Sequence, residues 1–174
     1  MISKAELINQ PYSGQYQEKI YDVPSPWNSQ DWSWVKFEND DFDEWCGEFR
    51  GSPRAVALSK KFNKILVLTS DYLFQIDCLN GELIEYESKP QYQSLTVTSS
   101  GDFIVADDYT IEKIGLKLKD KELLDCPIKM DGIKFNGWTS NKLSISGDEF
   151  LNWNNHVELE LDGEKLEINI KDSK

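Results

Sequence analysis

Leu66-Val67-Leu68-Thr69-Ser70-Asp71-Tyr72-Leu73-Phe74 carries the pattern on which this chain is built. Apolar, β-branched and aromatic residues stand on either side of a Thr-Ser-Asp break, which reads as strand, turn, strand. Two later stretches lay over it: Phe103-Ile104-Val105-Ala106-Asp107-Asp108-Tyr109-Thr110-Ile111 and Leu143-Ser144-Ile145-Ser146-Gly147-Asp148-Glu149-Phe150-Leu151. The aligned aspartates at 71, 108 and 148 are offset by 37 and 40 residues. A supersecondary repeat of roughly 40 residues has the length of a propeller blade.

The flanks extend the unit. A β-rich piece ending in a polar turn precedes each stretch: Arg54–Ser59 before Lys60-Lys61-Phe62-Asn63, Leu95–Thr98 before Ser99-Ser100-Gly101-Asp102, and Ile133–Trp138 before Thr139-Ser140-Asn141. Two units then close with Asn80-Gly81 and Asp162-Gly163, dipeptides that tolerate the positive φ of tight hairpins. The pattern predicts four-stranded antiparallel meanders at about 54–88, 92–126 and 130–171, with the last turn of the second unit, around Lys117–Lys121, less marked. Residues 31–51 add a partial unit, in which Trp45–Phe49 alternate as a half-buried strand does. Closed propellers take about 4 to 8 four-stranded blades. The expected fold is therefore all-β, antiparallel meanders in an open half-β-propeller-like array, with a β-sandwich as the alternative because strand spacing is common to both. Residues 1–30, with Pro11, Pro24 and Pro26 and no clear periodicity, read as an extended leader or strap ahead of a single β domain over 31–174.

The composition of the 174 residues bounds the function. Asp and Glu number 31 against 19 Lys and Arg, a net charge of −12. That field disfavours nucleic acid and anionic membrane and speeds encounter with a basic protein. Acidity also serves solubility alone. Three cysteines, Cys46, Cys78 and Cys126, leave at least one thiol unpaired in a monomer and include no C-x-x-C, which favours a reducing compartment. With no signal-like apolar run at Met1–Gln10, the expected location is the cytoplasm.

Catalytic signatures are scarce. His156 is the single histidine and reads as a solvated loop residue in an Asn154-Asn155-His156 turn, so no site built on two imidazoles is available. Asp107-Asp108 reads as the start of a blade turn, its carboxylates bonding nearby backbone N–H groups, and Asp71 and Asp148 invite the same reading. The expectation is a non-enzyme without metal or cofactor.

Two groups stand out as partner contacts. Glu38, Asp40, Asp41, Asp43 and Glu44 place five carboxylates within seven positions, interleaved or flanked by Trp34, Phe37, Phe42 and Trp45. Such density suits a solvated loop or the face opposite a basic partner, and the aromatics either anchor that partner or point inward. Trp34, Phe42, the five carboxylates, Asp107 and Asp108 are the candidate partner-binding residues. Tyr12, Tyr16, Tyr21 and Trp27 of the leader either pack as a strap or reach outward.

The segment Glu44-Trp45-Cys46-Gly47-Glu48-Phe49-Arg50-Gly51-Ser52-Pro53, followed by Val56-Ala57-Leu58-Ser59 and Val67-Leu68-Thr69-Ser70-Asp71, resembles half-propeller-like immunity proteins of bacterial contact-dependent inhibition and related polymorphic toxin systems. The resemblance implies a cytoplasmic monomer that neutralises one cognate toxin domain, often a basic ribonuclease, by covering its active site within a heterodimer. It carries over no contact residue. A generic propeller-like scaffold for protein or peptide binding is the other reading, and an enzyme using paired carboxylates a third.

Overall fold

The computed structural model describes residues 1–171, and among these there are sixteen strands and no helix. The last three residues of the expected 31–174 domain lie outside the described residues. Strands β1 (Ile2–Ile8), β2 (Gln17–Tyr21), β3 (Trp32–Asn39) and β4 (Glu44–Arg50) form the first sheet, in the order β1-β3-β4-β2. The second is the meander β5 (Pro53–Ser59), β6 (Lys64–Thr69), β7 (Tyr72–Asp77) and β8 (Leu83–Ser88). The third is β9 (Ser94–Val97), β10 (Phe103–Ala106), β11 (Ile111–Ile114) and β12 (Lys121–Leu123). The fourth is β13 (Met130–Thr139), β14 (Lys142–Glu149), β15 (Asn152–Asp162) and β16 (Ile168–Ile170). The protein is thus all-β, in four blade-like sheets of the half-propeller-like class. All the strand pairs are antiparallel except β2 with β4, which is parallel.

The chain divides into two compact units, Met1–Pro90 and one beginning at Gln91, each holding two sheets, where the sequence suggested one domain. In the first unit Val35, Phe37 and Phe49 of the first sheet pack on Ile65, Val67, Phe74 and Ile76 of the second. Tyr21 stacks on Phe49 at 4.4 Å and Phe49 meets Phe74 at 5.3 Å. Such aromatic pairs add about 0.5–1.5 kcal/mol each beyond the area they bury. In the second unit Ile104, Ala106 and Ile111 pack on Ile133, Leu143, Ile145, Leu159 and Leu161.

The expected extended leader or strap, residues 1–30, contains two strands. β1 and β2 complete the first sheet, and the partial unit expected at 31–51 is its two middle strands. Both were hidden for a physical reason. β1 puts Ala5 and Leu7 on the inner side, opposite Phe37 and Val35, but its outer positions include apolar Ile8, so alternation is blurred. β2 is a five-residue edge strand on which only Tyr21 is buried. A shorter strap does exist. Past β2, Ser29 N–H donates to Asp71 Oδ2 at 2.7 Å, the Tyr72 hydroxyl donates to Asn28 Oδ1, and Gly51 N–H donates to Asp31 O at 2.8 Å. Residues 22–31 therefore cross from the end of β4 to the β6–β7 turn.

Turn chemistry follows the residues. Ser140 and Asn141, at φ 48° and 65°, form a two-residue connection between paired Thr139 and Lys142, the twist that antiparallel strands accept best. Asp71 and Asp108 stand in the β6–β7 and β10–β11 turns. Asp148 does not: β14 runs on to Glu149, and the turn is made by Phe150 and Leu151, the latter at φ 64°. His156 likewise lies on β15, opposite Asp148, and not in a loop; a register shift next to that pair holds the extra residues of β15.

Candidate functional site

The acidic run occupies the β3–β4 turn of the first unit. Phe42 N–H donates to Asn39 O at 2.9 Å and Asp40 N–H to Met1 O at 2.9 Å, which fixes a tight reversal. Phe42 sits at its tip with φ 67° and is 80% exposed. Asp40, Asp41, Asp43 and Glu44 are exposed around it. The aromatics divide. Phe37 is fully buried and packs on Trp45 at 4.4 Å, whereas Trp34 lies half-buried on the outer side of β3, opposite Glu48 and Ile8.

That outer side is rich in charge. Lys36 Nζ lies 2.8 Å from Glu6 and 3.1 Å from Glu44, so hydrogen bonds to Glu6 and then Glu44 hold the ammonium charged far above its ordinary range. Glu38 faces Glu44 and Lys4 across the ladder. Glu48 is pushed upward by burial first and then by the neighbouring Glu18 carboxylate.

Asp107 and Asp108 belong to the second unit and the acidic run to the first. Asp107 Oδ1 accepts from Tyr109 N–H at 2.8 Å and Thr110 N–H at 2.6 Å, a tie that shapes the β10–β11 turn. Asp108 is exposed and its carbonyl accepts from Ile133 N–H at 3.3 Å. The Asp107 tie sets the position of Tyr109 and Thr110, and these open a groove.

The groove has a volume of about 700 Å³ and belongs wholly to the second unit. One wall is Tyr109, Thr110 and Ile111; the other sides are Leu123–Cys126, Ile128–Met130 and Phe150. Tyr109 and Phe150 meet edge to face at 6.2 Å, and both are exposed, as is Leu123. Its charged lining residues, Asp125 and Lys129, are exposed, and exposed Asp108 directly precedes Tyr109. Cys126 lines it half-buried, its thiol pushed upward by burial and then by Asp125. The sequence reading reached this site only through Asp107 and Asp108. Leu123–Met130 and Phe150 escaped it, although an aromatic immediately after an acidic strand end, Glu149-Phe150-Leu151, was a usable sign of a side chain left outside.

His156 Nδ1 hydrogen-bonds to Asp148 Oδ1 in solvent and to no hydroxyl or thiol among the described residues. Among the same residues no group of three or more His, Cys, Asp or Glu is placed to hold a metal ion. No helix there is long and apolar enough to cross a membrane.

No known family and no curated protein matches the sequence. Solved structures do. The chain is similar to the dihydro-heme d1 dehydrogenase NirN in complex with DHE, with TM-score 0.51 and 17% identity over 81% of this chain and 32% of that one. It is also similar to the Cps50 (Swd1) β-propeller domain of Myceliophteria thermophila, with TM-score 0.47 and 14% identity over 83% of this chain and 54% of that one. A third similarity is to the WD40 domain of SCAP from fission yeast, with TM-score 0.41 and 12% identity over 99% of this chain and 48% of that one. This chain spans about a third to a half of the length of each of these proteins. At such identities the first likeness bears on the fold alone.

Proposed function

We propose that this chain is a protein-binding module whose primary contact is the groove of the second unit. The observation that carries it is the exposed Tyr109–Phe150 pair set over an open apolar concavity of about 700 Å³. Concave apolar sites with a few polar groups at the margin are where proteins take ligands, and Tyr and other aromatics are enriched where binding energy concentrates. The net charge of −12 adds a preference for a cationic partner. Titrating wild type and a Tyr109→Ser/Phe150→Ser variant with the same positively charged peptides, selected on wild type, tests the reading. Equal affinity for the two would overturn it.

A second reading is supported by the exposed Asp40–Glu44 turn with Phe42 at its tip. An acidic protrusion with an apolar point fits the basic cleft of a nuclease, so the partner would be a cognate toxin domain occluded inside the producing cell. Co-expression with the toxin domain of a neighbouring reading frame tests it: rescue of growth and co-purification are expected, and Asp40→Lys/Asp41→Lys/Asp43→Lys should weaken both. Full protection by that triple variant would move the contact elsewhere.

A further inference from the structure

The groove of the second unit borders an open strand edge. β12 is the outermost strand of the third sheet, pairs with β11 alone among the described residues, and exposes all three of its residues. Leu124 N–H donates inward to Ile111 O at 2.9 Å, extending the ladder past the strand end. Main-chain groups alternate along a strand, so those of Leu123 and Asp125 turn away from β11, toward the side on which no strand pairs with them among the described residues. Pro127, which has no N–H, ends the edge. The side chains match this arrangement: Leu124 is buried in the core, whereas Leu123 is 59% exposed and lines the groove.

An open edge invites indiscriminate pairing, and proteins blunt such edges by keeping them short and charged. β12 is short and carries Lys121 and Glu122, so edge pairing alone gives little. Beside an apolar groove, the same few main-chain groups gain a filter. An incoming strand that pairs with Leu123 and Asp125 sends alternate side chains into and away from the groove, where Tyr109, Ile128 and Phe150 receive them. Asp125 on the lining and exposed Asp108 next to Tyr109 supply negative charge here, with Lys129 also on the lining.

Resting on the reading that the groove is a binding site, we infer that its occupant is an extended segment of a partner protein. This segment adds as a strand to the edge Leu123–Asp125, seats a large apolar side chain against Tyr109 and Phe150, and places Lys or Arg beside Asp108 or Asp125. Main-chain pairing supplies the affinity and the groove the choice of sequence. Catalysis plays no part in it.

The probe is a library of displayed twelve-residue peptides, selected on the full chain and counter-selected on Tyr109→Ser/Phe150→Ser. The tightest peptide is resynthesised with single N-methyl groups along its backbone and titrated by calorimetry. The expected result is an alternating pattern, with losses of about tenfold or more at every second amide within a run of four to six residues and little change between. Asp125→Lys should lower affinity for the unmodified peptide severalfold and flatten its salt dependence. Peptides that bind through the aromatic pair but tolerate N-methylation throughout would overturn strand addition and leave the groove reading intact. Failure to select any peptide dependent on the aromatic pair would overturn both.

Discussion

Arg50 meets Asp22 through two parallel hydrogen bonds, Nε to Oδ1 at 3.1 Å and Nη2 to Oδ2 at 2.8 Å, while its guanidinium lies 3.7 Å over the Trp32 ring. The pair ties the segment after β2 to the end of β4, and Arg50 Nη1 donates to Ser29 O further along the same strap.

Asp22→Asn should therefore loosen residues 22–31 and cost about 1–2 kcal/mol, the scale of a two-pronged charged hydrogen bond at a partly exposed site. The Arg50 hydrogen bond holds the Asp22 carboxyl below its usual range. A depressed folded value stabilises the protein above the unfolded carboxylate pKa of about 3.9 and loses that effect as pH falls through the folded value. The difference between wild type and variant in urea denaturation should be level from about pH 5 to 7 and shrink below about pH 4. A gap that widens in acid would contradict this account.

Gly47 occupies the inner face of β4, where an added Cβ would lie 2.7 Å from Phe49 Cε2, 2.8 Å from Phe37 Cε2 and 3.1 Å from Tyr21 Cε2. Three rings close over it, and each is itself packed. Gly47→Ala should cost about 1–3 kcal/mol by overpacking, against the small gain that Ala normally brings to a strand. A fall in the urea midpoint at unchanged slope checks it.

How far the sequence reveals this molecule depends on which side of a strand is buried. β5–β8 announces itself because Ile65–Leu68 of β6 and Tyr72–Phe74 of β7 are apolar and Thr69-Ser70-Asp71 breaks them. The first sheet conceals two of its strands, because β2 joins in parallel from an edge and buries a single tyrosine. Asp148 aligned with Asp71 and Asp108 by composition, yet β14 is longer than β6 and β10, which carries Asp148 into the ladder and gives the turn to Phe150 and Leu151. Exposure of the acidic run was legible, since like charges at that density have few other places to go. The groove was not, for its walls come from a turn, a strand end and a connecting segment brought together only by folding.

Burial pushes the Cys46 and Cys78 thiols up to about 11, and Cys126 also upward. Native protein at pH 8 should react with a thiol reagent first at half-buried Cys126, and at all three cysteines only after unfolding. The sign for stability is definite. A thiol whose folded pKa lies above the unfolded value of about 8.5 keeps its proton better when folded, so stability falls as pH rises from about 8.5 toward 11. Cys46→Ala and Cys78→Ala should each reduce that alkaline decline; rapid labelling of Cys46 in native protein would refute the burial argument.

Tyr109 and Phe150 are exposed and touch each other, and neither belongs to the buried core of the second unit. Replacing exposed residues usually shifts stability by less than about 0.5 kcal/mol, and the ring pair itself adds about 0.5–1.5 kcal/mol. Tyr109→Ser/Phe150→Ser should therefore unfold within about 2 kcal/mol of wild type, yet lose at least tenfold in affinity for any groove ligand. Phe74→Ala supplies the contrast: Phe74 is fully buried in the first unit, and its loss should cost about 3–5 kcal/mol. Thermal unfolding and peptide titration of both variants separate the two roles. Rings that serve packing would show their main effect in the first measurement, and rings that serve a partner show it in the second, because solvent already covers them when the groove is empty.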